Sequence, residues 1–336
     1  MPDNPGANKG ASTESIPAGV RLARCAGQRG LPSASTLDEL AGKLLGTAWW
    51  WLHLDQTHTS TQNWLRSRSG IPQPIAESLL DASTRPGCIR EADGIMFIGR
   101  SVNMDPASTP EDMVSLRAWL TEKQLITVVV RRLRSAEAVA DAMDQGSLDT
   151  PAGALTELIR QMLTRISPVV DQICTAFEEV QLRVIDEDIA VPTSEVASLR
   201  LRALTLHRYL APLRDAVREL ESTAPGWFPE TNRAMLRGDD ERLTRIVEDL
   251  ATLELQASVA QDEIVSQQNQ ATNHRLYVLT IITALFLPLG FLTGLLGINV
   301  GGMPGAGSPT AFWWVVGGMA AVLVVQVLLL RMLKWF

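Results

Sequence analysis

Gly297-Ile298-Asn299-Val300-Gly301-Gly302-Met303-Pro304-Gly305 joins two long apolar runs, Tyr277–Gly297 and Ala311–Leu330. As helix each run is about 30 Å long, enough to cross the hydrocarbon core of a bilayer. No Asp or Glu follows Glu263, and residues 276–336 carry only Arg331 and Lys334 as charges. Backbone groups in lipid must be satisfied within their own segment, so both runs are predicted to be α-helices. Residues 276–336 therefore read as a two-span hairpin, and everything before it is polar enough to live in water.

Basic residues flank the hairpin on one side only. Arg275 precedes the first span, Arg331 and Lys334 follow the second, and the connection Ile298–Thr310 has no charge. Lys and Arg in short flanks stay cytoplasmic, so both termini are expected inside and the Gly-rich loop outside. Residues 1–15, rich in Gly, Asn, Ser and Pro, read as a disordered start without the apolar core of a signal peptide. Cys25, Cys88 and Cys174 are odd in number and widely spaced, which suits a reducing compartment. The chain has 30 basic and 37 acidic residues. Such a balance gathers cations and argues against a nucleic-acid partner, although soluble domains carry a similar surplus for solubility alone.

Residues 16–148 change pattern every 10–20 positions. Trp49–Asp55, Cys88–Met104 and Val114–Val130 are β-rich, while Thr61–Arg68, Pro74–Asp81 and Ala136–Asp144 have helical character, together an α/β domain. Strand directions are not readable. From 149 to 275 the chain turns helical. Ala154–Ile189 is one helix, with Pro168 kinking it or tightening a first turn. Thr193-Ser194-Glu195 starts a second helix that runs back to Glu221, before the turn Ala224-Pro225-Gly226. A third helix can run unbroken from Glu230 to Gly297, on the order of 100 Å. Along it Leu243, Ile246, Leu250, Leu253, Ala257, Ala260 and Ile264 form a heptad seam, to be buried against the preceding helices or against other copies.

Towards the membrane the stripe changes to Asn273, Leu276, Thr280, Thr283, Leu287, Gly290 and Gly294. Amides, hydroxyls and small residues on one face of a span favour water or protein over lipid. Two spans cannot enclose a pathway, so a conduit needs several subunits; the plainer alternative is a close helix contact at Gly290-x-x-x-Gly294. Asn299, beside Gly297 at the outer end, would repeat at one height in such a ring. It would touch a hydrated divalent ion through the ion's own water shell. An Asn after Gly also serves commonly as a helix cap.

Phe286-Leu287-Pro288 within the first span, Gly297-Ile298-Asn299 at its end, Phe291-Leu292-Thr293-Gly294 between them and the terminal Lys334-Trp335-Phe336 resemble the CorA-type metal-ion transporters. Trp51-Leu52-His53-Leu54, Ser83-Thr84-Arg85-Pro86 and Arg208-Tyr209-Leu210-Ala211-Pro212 extend the likeness across nearly the whole chain. Ile298 and Gly305 stand where magnesium-type members usually have Met and an acidic residue, which points to the zinc-transporting branch. The resemblance implies a homopentamer in the bacterial inner membrane, with an α/β cytoplasmic domain and a funnel of long helices. It also implies Gly297, Ile298 and Asn299 as the selectivity element, the stripe 273–294 as pore lining, Zn²⁺ as the transported ion and no bound cofactor. Proton coupling is left open, and a Mg²⁺, Co²⁺ or Ni²⁺ channel is the alternative cargo.

Other candidates are weighed against plainer roles. His53 and His58 are five apart near a strand end, and imidazole is a favoured zinc ligand, but no Cys or third His lies near in sequence. Asp239 and Asp240 form a candidate regulatory ion site; with Glu241 they also suit the positive end of a long helix. His274, close to the membrane entry, would be placed to pass protons, or simply to sit at the interface. Trp313, Trp314 and Trp335 read as interfacial anchors. No phosphate loop, His-Glu-x-x-His or Cys-x-x-Cys occurs, so an enzyme is not expected. A membrane-tethered sensor would also use two spans and a long helix, but its output motif is missing.

Overall fold

In the computed structural model the described residues are 17–26, 34–81, 85–91, 93–186, 191–298 and 307–332. The expected disordered start, Ser83-Thr84, the loop from Asn299 to Gly305 and Lys334-Trp335-Phe336 lie outside them. Among the described residues six strands and four short helices come first: β1 Val20–Cys25, α1 Leu37–Leu44, β2 Trp50–Asp55, α2 Thr59–Ser67, α3 Gln73–Leu80, β3 Gly87–Glu91, β4 Gly94–Ser101, β5 Val114–Leu120, β6 Gln124–Val129 and α4 Arg134–Asp144. Four long helices follow, α5 Pro151–Ile185, α6 Thr193–Thr223, α7 Glu230–Leu296 and α8 Ala311–Met332.

The strands form one sheet in the order β1-β2-β6-β5-β4-β3. Only β2 and β6 run parallel; every other pair is antiparallel. Alternation sends Trp50, Leu52 and Leu54 to one face, where they meet Leu40 of α1, Trp64 of α2 and Leu79 of α3 in one buried cluster. Phe97 and Gly99 belong to the opposite face. A Cβ on Gly99 would lie 3.1 Å from Met162 Cε of α5 and 3.3 Å from Leu213 Cδ1 of α6, so the missing side chain lets both helices approach the sheet. Helices on both sides explain why β2, β4 and β6 read as nearly continuous apolar runs.

Pro168 lies in the middle of α5 and neither starts nor ends it. α6 runs back along α5: Arg183 near the end of α5 pairs with Glu195 at the start of α6, and Trp227 beyond α6 lines the same pocket as Pro151 at the start of α5. α7 is one helix of 67 residues. Arg237 bonds Glu221 at 2.7 Å near the start of α7, and Arg200 of α6 reaches Gln261 at 2.8 Å further along it. All seven seam residues are buried within the single chain, as the intramolecular reading requires. The chain divides into two units, residues 1–261 and 262–336. The sheet, α1–α6 and the first part of α7 make the first; the rest of α7 and α8 make the second. Among the described residues α7 and α8 are the two helices long and apolar enough to span a membrane, and the apolar end of α7 falls in the second unit.

Candidate functional site

Within the second unit, exposure separates two faces of α7. Ile281, Leu285, Pro288, Leu289 and Leu292 are partly shielded, and so are Val315, Met319 and Val322 on α8, with Leu330 buried. Asn273, Leu276, Thr280, Thr283, Leu287, Gly290 and Gly294 are all exposed. At 3.6 residues per turn the exposed stripe is centred roughly 180° from the shielded face. The hairpin therefore uses one side of α7 internally and leaves the stripe free.

Local bonding decides what that stripe offers. Thr280 Oγ donates to the Leu276 carbonyl at 2.7 Å, and Thr283 Oγ to the Leu279 carbonyl at 2.8 Å. With each hydroxyl hydrogen spent on its own helix, the oxygen lone pairs remain for whatever faces the stripe. Such a surface suits a cation or the waters around one, and disfavours an anion. Gly290 and Gly294 do not serve the hairpin, since a Cβ on either would meet no atom within 4 Å. At the outer end the Gly297 amide donates to the carbonyls of Thr293 (2.9 Å) and Gly294 (3.2 Å), closing the helix, and Ile298 is exposed. Asn299 lies outside the described residues.

A polar contact inside the hairpin gives no prominent sequence signal. Pro288 has no N–H, so the Ala284 carbonyl, four residues earlier, loses its helical donor. The side-chain amide nitrogen of Gln326 on α8 faces that carbonyl at 3.4 Å. In lipid an unserved carbonyl is costly, and Gln326 supplies the missing donor from the neighbouring helix. The available signal is a lone amide in an otherwise apolar span opposite a proline-containing one.

The remaining candidates are not brought together. His53 is buried in β2, with Nδ1 2.7 Å from Thr127 Oγ, and that oxygen accepts from Trp51 Nε1 at 2.8 Å. The Thr127 hydroxyl also donates to the Leu52 carbonyl at 3.5 Å, so its oxygen can accept from Trp51 and from the His53 ring together. Burial, helped by the Arg21 charge, pushes His53 down to about 3. His58 is exposed at the start of α2. Asp239 is buried, and burial raises it to about 6. Asp240 is held by Arg218 Nη2 at 3.1 Å. Both lie in the third turn of α7, which starts at Glu230, so the helix-dipole reason for their placement does not hold. His274 is exposed on α7. No group of three or more His, Cys, Asp or Glu side chains placed to hold a metal occurs among the described residues.

Comparison with known proteins matches residues 46–332 to a family described as the CorA-like Mg²⁺ transporter protein. The chain is 33% identical over 291 residues to the divalent cation transporter CmaX of Pseudomonas aeruginosa, covering 85% of this chain and 87% of the relative. It is 29% identical over 278 residues to the zinc transport protein ZntB of Pectobacterium carotovorum, covering 80% and 85%. The structure of full-length CmaX superposes with a TM-score of 0.75 over 85% of this chain and 89% of that one.

Proposed function

Since the chain belongs to the CorA-like Mg²⁺ transporter family and is therefore a divalent cation transporter rather than an enzyme, we propose that its cargo is Zn²⁺, carried across a bacterial inner membrane by a homopentamer. The observation that carries the pore reading is the free α7 stripe of oxygen acceptors, on the side away from α8. One hairpin cannot enclose a path, and several copies with these stripes inward can. Leu255 and Val259, on the side of α7 away from the buried seam, are 71% and 69% exposed and leave apolar surface for a neighbouring copy. Asn299 would ring the outer mouth, touching Zn²⁺ through its hydration shell, with both termini cytoplasmic. Zinc is favoured over a broader cargo by Ile298 and Gly305, and by relatives named as zinc transport proteins.

The test is ion flux into proteoliposomes holding the purified chain, with Zn²⁺, Mg²⁺ or Co²⁺ outside, at two pH gradients. Zinc entry slowed or made less selective by Asn299→Ala supports the proposal, and acceleration by an inward proton gradient adds proton coupling. Passage of Mg²⁺ or Co²⁺ but not Zn²⁺ would contradict the zinc assignment.

A further inference from the structure

A cavity of about 550 Å³ opens in the first unit, where β4 ends and α4 begins. Five arginines line it, against a single carboxylate, Asp105. Three of them are committed: Arg21 to Asp55 at 2.6 Å, Arg131 to Asp112 at 3.0 Å and Arg132 to Glu137 at 2.6 Å. Among the described residues Arg165 bonds the neutral Gln161 alone, through its carbonyl at 2.9 Å and its side-chain oxygen at 3.0 Å. The Arg134 guanidinium has no partner among the described residues. Asp105 opposes an anion, but part of its carboxylate is used by the Ala107 amide at 3.1 Å.

Two observations independent of charge point to a ligand. Ser101 and Ser135, 1% and 0% exposed, both line the cavity, and neither Oγ has a partner among the described residues. A buried hydroxyl without a partner is destabilising, and here two such groups share one cavity. The start of α4 is also unserved. Leu133 at the cap position provides no side-chain oxygen, and the first bond of the turn, Ala136 N to Leu133 O at 3.0 Å, leaves the amides of Arg134 and Ser135 without acceptors among the described residues. Two hydroxyls, two amides and two guanidinium forks exceed what a chloride or a single carboxylate needs. They match the several oxygens of a phosphate group at the positive end of a helix.

We propose that this cavity binds a phosphate-bearing anion through Ser101, Ser135, Arg134, Arg165 and the first amides of α4. Val102, Met104, Pro106 and Leu133 complete the wall without an aromatic ring to stack a base, so the phosphate group rather than a nucleobase is recognised. The site uses no residue of the transmembrane stripe and does not depend on which cation is carried.

The test is calorimetric titration of inorganic pyrophosphate into the full chain in detergent micelles at fixed ionic strength. Saturable binding is expected, weakened about tenfold or more by Arg134→Gln and by Ser135→Ala. It should be unchanged by Arg66→Gln, which alters an exposed ion pair with Glu77 away from the cavity. Without pyrophosphate, Arg134→Gln should keep the wild-type melting temperature, because it removes an exposed charge, and Ser135→Ala should keep or raise it, because it removes a buried hydroxyl without a partner among the described residues. Phosphatidylglycerol in the micelles separates the sources: competition through Arg134 and Ser135 assigns a lipid headgroup, and its absence assigns a soluble phosphate compound. No saturable binding at millimolar pyrophosphate, or equal binding by all three variants, would overturn the proposal.

Discussion

His53 and Asp239 are buried ionisable groups whose pH linkages have opposite signs. Folding pushes His53 from its ordinary 6.5 to about 3, so the unfolded chain takes up the proton first as pH falls. Its contribution is complete above pH 6.5 and is lost at about 1.4 kcal/mol per pH unit on the way down towards 3. Denaturant melts from pH 7.5 to 4.5 should show this loss, and His53→Gln should flatten it; an equal slope in the variant would contradict the buried neutral ring. Asp239 is raised from 3.8 to about 6, chiefly by burial, with Glu157 adding to the shift and Arg160 and Arg242 opposing it. The folded state therefore keeps a proton that the unfolded state releases, and stability falls as pH rises through that window. Asp239→Asn is expected to raise the melting temperature at pH 7.5, with the gain shrinking below pH 4. Sequence alone could list His53, His58, Asp239 and Asp240 but not their surroundings. Whether a histidine meets a metal or a threonine depends on β6, over 70 residues away.

At the scale of elements, the Pro288–Gln326 relation gives the sharpest prediction. Gln326→Leu leaves the Ala284 carbonyl unserved and should cost about 1–3 kcal/mol of stability. In a Pro288→Ala background the amide at 288 can serve that carbonyl, so the penalty should shrink, and strictly additive effects in the double-mutant cycle would refute the pairing. Long helices were legible because a periodic run of dozens of residues, or twenty apolar ones, overrides local ambiguity; α7 ends one residue from its expected limit. Short elements were harder. β1, Val-Arg-Leu-Ala-Arg-Cys, is an edge strand whose arginines pair with Asp55 and Asp144, and nothing local marks it as sheet. α1 carries a start signal in Thr36 and Glu39: Thr36 accepts from the Glu39 amide at 3.2 Å, while Glu39 accepts from the Ser35 amide at 2.9 Å. The direction of β2 against β6 is fixed by a long-range pairing, for which a single sequence has no local signal.

The whole molecule joins an acidic, sheet-based unit to a two-helix hairpin, and the proposed ion path needs several copies of it. Native mass spectrometry from detergent should give five copies; a dimer would remove the enclosed pathway. The most direct measurement is zinc flux after single cysteine substitution and treatment with a membrane-impermeant cationic thiol reagent. The native thiols give little background. Cys25 is buried, burial pushes Cys88 up to about 12, and it raises Cys174 as well, so few are thiolate at neutral pH. Thr283→Cys, on the free stripe, should be modified and its flux blocked, while Leu289→Cys, on the face shielded by α8, should keep its flux. Block at Leu289→Cys with none at Thr283→Cys would contradict the claim that this face of α7 lines the ion path.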